Sequence, residues 1–419
     1  MLVYKFGGAS VKDADAVRNV GNIVSKVKDK PVFVVISAMG KMTNAFEKLI
    51  HAFYEGDIQA QESSLKFIKD YHKNIIDDLL KNSSSHAFDD IDNLFLELEC
   101  MLETETEKPG NFDYIYDQIV GFGELISTRI VSAFLNENGI SNRWMDCRNF
   151  VSTDNNYRDA KVDWKATEEI IYKKLLPIAK KQIIITQGFI GRASDLSTTT
   201  LGRDGSDYSA AIFAYCLKAD SVTIWKDVPG VMNGDPKKIE DAVLFNQLSY
   251  NETIELAYYG ANVIHPKTIQ PLRNREIPLY VKSFYEDELP GTVIHHAETT
   301  NDIPVYIYKE NQAMISVSTK DFSFIVENHI SHIFELLSKH HVKVNLMQNS
   351  AINFKLCVDD NASKNNALIE SLSDIFETEI SHELQLVSIR NPKDNDFEKY
   401  AGKEIKMEQR NQKMIQILI

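Results

Sequence analysis

Four short segments of this chain combine glycine, hydroxyl residues and charge in the pattern that anion chemistry requires. The first, Lys5-Phe6-Gly7-Gly8-Ala9-Ser10, ends a strand-like run and precedes a helix. Paired glycines let a backbone come close to a phosphate, and a helix start presents unpaired N–H groups to it. Lys5 could neutralise phosphate charge, although the same residues also make an ordinary tight turn. The second, Val34 to Gly40 followed by Thr43-Asn44, again runs a strand into small residues. Ligand crevices of open α/β sheets lie outside the carboxyl ends of strands, so these two turns either face one another across a site or are purely structural. The third is the richest. After Thr186-Gln187-Gly188-Phe189-Ile190-Gly191 comes Thr198 to Ala210, which sets Arg203 and Asp207 among glycines and hydroxyls. A guanidinium fork suits a carboxylate or a phosphate. The fourth, Trp225 to Val231 and then Asp235-Pro236-Lys237, ends a strand in an acidic turn and a rigid bend. It holds nucleotide or is a simple turn. Glu124, beside Gly121 and Gly123 on an otherwise apolar helix, is a carboxylate able to pair with an ammonium group.

The elements that position these residues follow from the apolar pattern. Short Val/Ile-rich runs cover Leu2 to Phe6, Pro31 to Ala38, Arg143 to Cys147, Ile183 to Ile190, Val222 to Trp225 and Pro278 to Val281. Helix-period segments separate them, which predicts an α/β domain with a largely parallel sheet. Between Gly56 and Asn136 the spacing of Leu65, Ile68, Tyr71, Ile75 and Leu79, and of Ile91, Leu94, Phe95, Leu98 and Leu102, predicts amphipathic core helices. A Pro/Gly-containing link around Leu289 to Pro304 predicts a domain boundary. Beyond it the order is strand (Met314 to Val317), helix (328–340), strand (Val342 to Met347), strand (Asn353 to Val358), helix (362–376) and strand (Leu384 to Ile389). That is a ferredoxin-like βαββαβ unit. Lys403 to Gln412 reads as a polar tail before a last strand-like run, Met414 to Ile419.

Composition excludes several classes. With 419 residues, two or more domains are expected. A net charge of -14 argues against general binding to nucleic acid or anionic membrane. The four cysteines, Cys100, Cys147, Cys216 and Cys357, lie far apart and suggest neither a zinc site nor a disulfide framework, which fits a reducing cytoplasm. No signal peptide is expected at the N-terminus, and no apolar stretch is expected to reach the ~18 residues of a membrane span.

Taken together, the segments resemble the aspartate kinases of the amino-acid-kinase superfamily. Lys5 to Ser10, Val34 to Asn44, Thr186 to Ala210, Trp225 to Pro236 and Ala257 to Pro266 match five family motifs in order. The resemblance implies an amino-acid-kinase fold over 1–296 and an ACT regulatory region over 297–419. One ACT unit is complete at about 314–379. A second, truncated one is built from 305–309 and 384–419. It implies that Lys5, Gly7, Gly8 and Ser37 surround the transferred phosphate, with Asp207 beside that lysine. Thr43, Glu124, Arg203 and Ser206 match substrate-binding positions; Lys226, Asp227, Met232 and Lys237 match ATP-binding ones. Asn345, Asn349 and Ser350 fall at effector positions, where Ala351 removes a usual carboxylate. Asp204 stands where glycine is usual, Lys226 where threonine is, Met232 where tyrosine often packs on nucleotide, and Asn262 where some members have lysine.

The implied reaction is phosphorylation of L-aspartate by ATP with Mg²⁺, without a dedicated protein metal site. The implied partners are an amino-acid effector (lysine or threonine) and a second copy of the chain, paired through the ACT region. No homoserine dehydrogenase extension is expected. Two alternatives stay open: a glutamate or N-acetylglutamate kinase, and an amino-acid sensor with little catalysis. Lys5→Ala is expected to remove activity with little effect on folding.

Overall fold

The computed structural model describes all of the chain except residues 81–84, 105–110, 262–263, 297–301, 322, 394–395 and 401. It divides into two compact units. One comprises Met1–Val231, Leu244–Ile254 and Val263–Thr299; the other comprises Met232–Val243, Glu255–Asn262 and Thr300–Ile419. The boundary expected after residue 296 abuts undescribed residues, and two earlier segments, 232–243 and 255–262, count with the second unit.

The first unit is built on an eight-stranded sheet. Its strands are β1 (Leu2–Phe6), β2 (Val32–Ile36), β3 (Asn142–Trp144), β4 (Ile183–Gln187), β7 (Ser221–Lys226), β8 (Gln247–Ser249), β9 (Leu279–Ser283) and β10 (Thr292–His295). A separate ribbon pairs β5 (Ile190–Arg192) with β6 (Thr198–Thr200). The spatial order is β3-β4-β2-β1-β7-β9-β10-β8. All neighbours are parallel except β9 and β10. The short β8 and β10 carry too few apolar residues to stand out in the sequence.

Register decides where the chemistry falls. Phe6 lies opposite Ile36 on one side and Trp225 on the other, and Ile36 lies opposite Gln187. Four strands therefore end at one edge, and the turns after them open there together. β1 and β2 are buried almost throughout, as strands covered on both faces must be. Helix α9 (Gly205–Leu217) packs on them; Phe213 meets Phe33 with ring centroids 4.6 Å apart.

The stretch after β2 folds as five helices in series. They are α2 (Met42–Glu55), α3 (Ile58–Leu79), α4 (Ser85–Thr104), α5 (Phe112–Val120) and α6 (Phe122–Glu137), with α1 (Ala14–Ser25) ahead of β2. Together α5 and α6 correct one expectation. Phe112–Glu137 is long and apolar enough to cross a membrane by composition, but 83% of its apolar window is buried inside the fold. It is a core helix pair, wrapped by its own protein.

The second unit carries a six-stranded antiparallel sheet in the order β12-β13-β11-β14-β16-β15. The strands are β11 (Val305–Thr319), β12 (Val344–Asn349), β13 (Asn353–Asp359), β14 (Phe376–Arg390), β15 (Met407–Asn411) and β16 (Met414–Leu418), with helices Glu327–Lys339 and Ala362–Leu372. The βαββαβ order is present. Two separately expected pieces, 305–309 and 314–317, are one continuous strand with a register shift between Lys309 and Gln312. β14 likewise runs through both half-sheets. The expected polar tail is in part β15, which forms a hairpin with β16: its Met407 side is buried while Glu408 to Asn411 face solvent. Between β14 and β15 the described residues contain only a short 3-10 turn, Glu398–Tyr400, so the outer half-sheet has strands without a covering α-helix of its own.

Candidate active site

At the carboxyl edge of the first unit's sheet lies a cavity of about 550 Å³. The turn after β1 contributes Lys5, Gly7 and Gly8; the turn after β2 contributes Ser37 and Thr43. These turns do face one another. Gly40 N–H donates to Gly8 O at 2.9 Å, and a Cβ on Gly8 would sit 2.5 Å from Gly40 O and 2.9 Å from Ala38 O. Only glycine allows that backbone approach. The start of α9 supplies Arg203, Ser206 and Asp207, and the end of β7 supplies Lys226 and Asp227. Gly188, after β4, lets Ser206 come in: a Cβ there would meet Ser206 Cα at 2.7 Å.

Charge is held in this cavity by burial. Lys5 Nζ lies 2.6 Å from Asp207 Oδ1, and both side chains are almost fully buried. The contact is an ion pair without aligned hydrogen-bond geometry. Lys226 Nζ approaches the other oxygen at 3.9 Å. Burial alone would push the Asp207 carboxyl up; Lys5 and Lys226 outweigh it and hold the group below the usual carboxylate range.

Glu124 is the opposite case. It sits in the first turn of α6, 2% exposed. Oε1 accepts from Ala38 N–H at 3.3 Å, while Oε2 has no partner. Burial pushes its pKa up to about 8, against smaller opposing effects of backbone N–H groups and Lys5. A buried carboxylate lacking a cation is costly, and it marks the place where one belongs.

Sequence reasoning missed the wall built around Asp117. This fully buried carboxylate accepts from Thr200 N–H and Thr200 Oγ1–H, both at 2.8 Å, and from Arg158 N–H at 3.0 Å. It thereby fixes Thr200 and Arg158, which both line the cavity. Burial raises its pKa to about 6 despite those donors. Arg158 has φ +67, and its guanidinium lies over Tyr116, 4.4 Å from the ring centroid. The only sequence signal was Asp117 itself, a charge on an apolar helix face.

Not every expected residue gathers here. Met232 and Lys237 belong to the second unit and do not line the cavity. Asn262 lies outside the described residues. In the second unit, Asn345 is engaged within the protein: its amide donates to Gln312 Oε1 at 2.7 Å and Asp359 Oδ1 at 2.9 Å, and its oxygen accepts from Lys309 Nζ at 2.8 Å. Ser350 Oγ–H donates to Asn353 O within a turn, at 2.9 Å. Asn349, at the end of β12, is exposed.

Residues 1–283 match the amino acid kinase family. Lysine-sensitive aspartokinase 3 of Escherichia coli is 30% identical over 413 residues, 96% of this chain and 89% of that protein. The chain belongs to the amino acid kinase family, among its aspartokinases. Another aspartokinase relative, the bifunctional aspartokinase/homoserine dehydrogenase 2 of Arabidopsis thaliana, is 31% identical over 389 residues; the match covers 89% of this chain and 42% of that one. The crystal structure of E. coli aspartokinase III in complex with aspartate and ADP superposes with a TM-score of 0.84 at 27% identity, covering 100% of this chain and 96% of that one. The aspartokinase fold therefore extends through the ACT-type sheet of the second unit.

One expectation changes with the ion pair. Lys5→Ala strips a buried carboxylate of its nearest cation, so folding suffers as well as chemistry. The expected loss is ~3 kcal/mol of unfolding free energy at pH 7. Asp207 has a lowered folded pKa, so the pair's contribution is present above the unfolded carboxylate range and fades as pH falls through the folded value. Urea unfolding at pH 7 and at pH ~3 or below should show the mutant's deficit shrinking in acid.

Proposed function

We infer that this protein is an aspartate kinase, converting ATP and L-aspartate to ADP and 4-phospho-L-aspartate, the step that opens lysine, threonine and methionine biosynthesis. The observation that carries this reading is Glu124 Oε2, buried without a partner in the same cavity as Lys5, Asp207 and Arg203. A free α-ammonium completes that carboxylate. An N-acetylated substrate has no ammonium to offer, which disfavours an N-acetylglutamate kinase. A bare sensor has no need of a buried Lys5–Asp207 pair.

The mechanism is one of placement and charge. The β-carboxylate is already ionised, its reference pKa being about 3.9, so no base is required. One of its oxygens attacks the γ-phosphorus; the bond to the β,γ-bridging oxygen breaks and ADP leaves with the electron pair. Lys5 neutralises charge on the transferred group, helped by the N–H groups of the Gly7-Gly8 turn and the start of α9. Asp207 holds Lys5 in place. Arg203 takes the α-carboxylate as a two-pronged fork, Glu124 takes the ammonium, and Ser37, Thr43 and Ser206 offer hydroxyls. Lys226 and Asp227 serve the nucleotide.

Among the described residues no three His, Cys, Asp or Glu side chains gather into a ready metal cage. Mg²⁺ keeps waters and takes only one or two carboxylates, so it would arrive bound to ATP. Asp227, an exposed carboxylate of the cavity, would hold it, and the ion would neutralise phosphate charge. An amino-acid effector, lysine or threonine, belongs to the ACT-type sheet, where Asn349 remains available. β12 is an open sheet edge, and Met347 on it is 52% exposed; a second copy pairing there would satisfy it. Four free cysteines suit a reducing cytoplasm.

Coupled ADP release should be fast with L-aspartate and near background with L-glutamate and N-acetyl-L-glutamate; equal rates with all three would defeat the assignment. A second measurement probes Glu124. Its folded pKa is raised, so near pH 7 the free site holds a proton that the substrate ammonium must expel. Calorimetric titration of aspartate in buffers of different ionisation enthalpy should show proton release near pH 7, none above pH ~9, and none in Glu124→Gln.

A further inference from the structure

Asp204 occupies a backbone position suited to glycine. Its φ is +54 and its ψ +26, in the left-handed region. As the residue before α9 it should cap the helix, accepting an N–H bond from the first turn. It makes no such bond. Capping, the usual reason for an aspartate at a helix start, is therefore absent here. Asp204 lines the cavity, and its Oδ2 lies 3.7 Å from Nε of Arg203. Among the described residues Arg203 makes no other ion pair, and its side chain is 79% exposed.

We propose that Asp204 is a positioning residue that competes with the substrate α-carboxylate for the Arg203 guanidinium and so weakens aspartate binding. The inference rests on the assignment of Arg203 to that carboxylate. Both carboxylates seek one fork, and Asp204, being the next residue, is always within reach. Its charge also stands in a cavity that must admit two anionic reactants. Relief of that competition falls on substrate affinity first, because the interaction lost on binding is made in the free enzyme.

Asp204→Asn tests this, since asparagine tolerates the left-handed region and keeps the shape while removing the charge. One unit charge at about 4 Å in a water-like medium corresponds to roughly a five-fold fall in KM for aspartate, with a smaller change in KM for ATP. The gap between wild type and variant should narrow as salt rises from 0.05 M to 0.5 M, because exposed charges are screened; a purely structural effect would not move with salt. Asp204→Gly separates backbone from charge. A fall in KM with glycine but not with asparagine overturns the proposal, as does an unchanged or raised KM in Asp204→Asn. Calorimetric binding of aspartate to the wild-type chain distinguishes the two levels. If wild type binds no aspartate, the kinase assignment falls and this inference with it; if both proteins bind it equally, only the inference falls.

Discussion

One buried ion pair ties the two halves of this site together. Lys5 stands near the end of the central strand and Asp207 in the first turn of the helix that covers it, 2.6 Å apart. Neither charge is tolerable there alone. The pair therefore fixes how α9 sits over β1, and with α9 come Ser206 and the backbone N–H groups that phosphate requires. Two glycines allow the close approaches around this contact: Gly8 against the turn after β2, and Gly188 against Ser206. The geometry is set by what cannot be inserted as much as by what is present.

A second constraint is electrical asymmetry. Two acidic side chains lie deep in one cavity with opposite fates. Lys5 and Lys226 hold the Asp207 carboxyl below the usual carboxylate range, while burial pushes Glu124, one oxygen of which has no partner, up to about 8. A site that keeps one carboxylate permanently charged and the other conditional distinguishes the permanent framework from the place a ligand fills.

Much of this was legible in the residues. The segments that begin at Lys5, Val34, Thr186 and Trp225 fall where the parallel strands β1, β2, β4 and β7 end, and aligned register gathers those ends at one edge, so Lys5, Ser37, Arg203, Asp207 and Asp227 share a cavity with Glu124 of α6. What escaped reading depended on distance through space. Asp117 looks like a stray charge until Thr200 and Arg158, 83 and 41 residues away, are seen to bond to it. Burial of Lys5 could not be known from its neighbours in sequence, so the folding cost of its loss was underestimated. β8 and β10 were too short to leave a pattern. The run 112–137 has the composition of a membrane helix, and only its burial tells otherwise. Lys403 to Gln412 looks merely polar because Met407 is the one buried residue of β15.

The ACT-type sheet carries a last implication. β11 and β14 each run fifteen residues and pair along nearly their whole length, crossing from one half-sheet into the other without a hinge. They act as two splints laid across a joint. The two register shifts, between Lys309 and Gln312 and between Gln312 and Met314, both adjoin Gln312, and Lys309 beside them pairs with Asp359 at 2.7 Å. Neither half can slip alone, since a one-residue slide would turn the buried side chains of both strands outward. The helix-poor outer half thus borrows its rigidity from its neighbour, which explains how so thin a layer of strands persists as ordered structure.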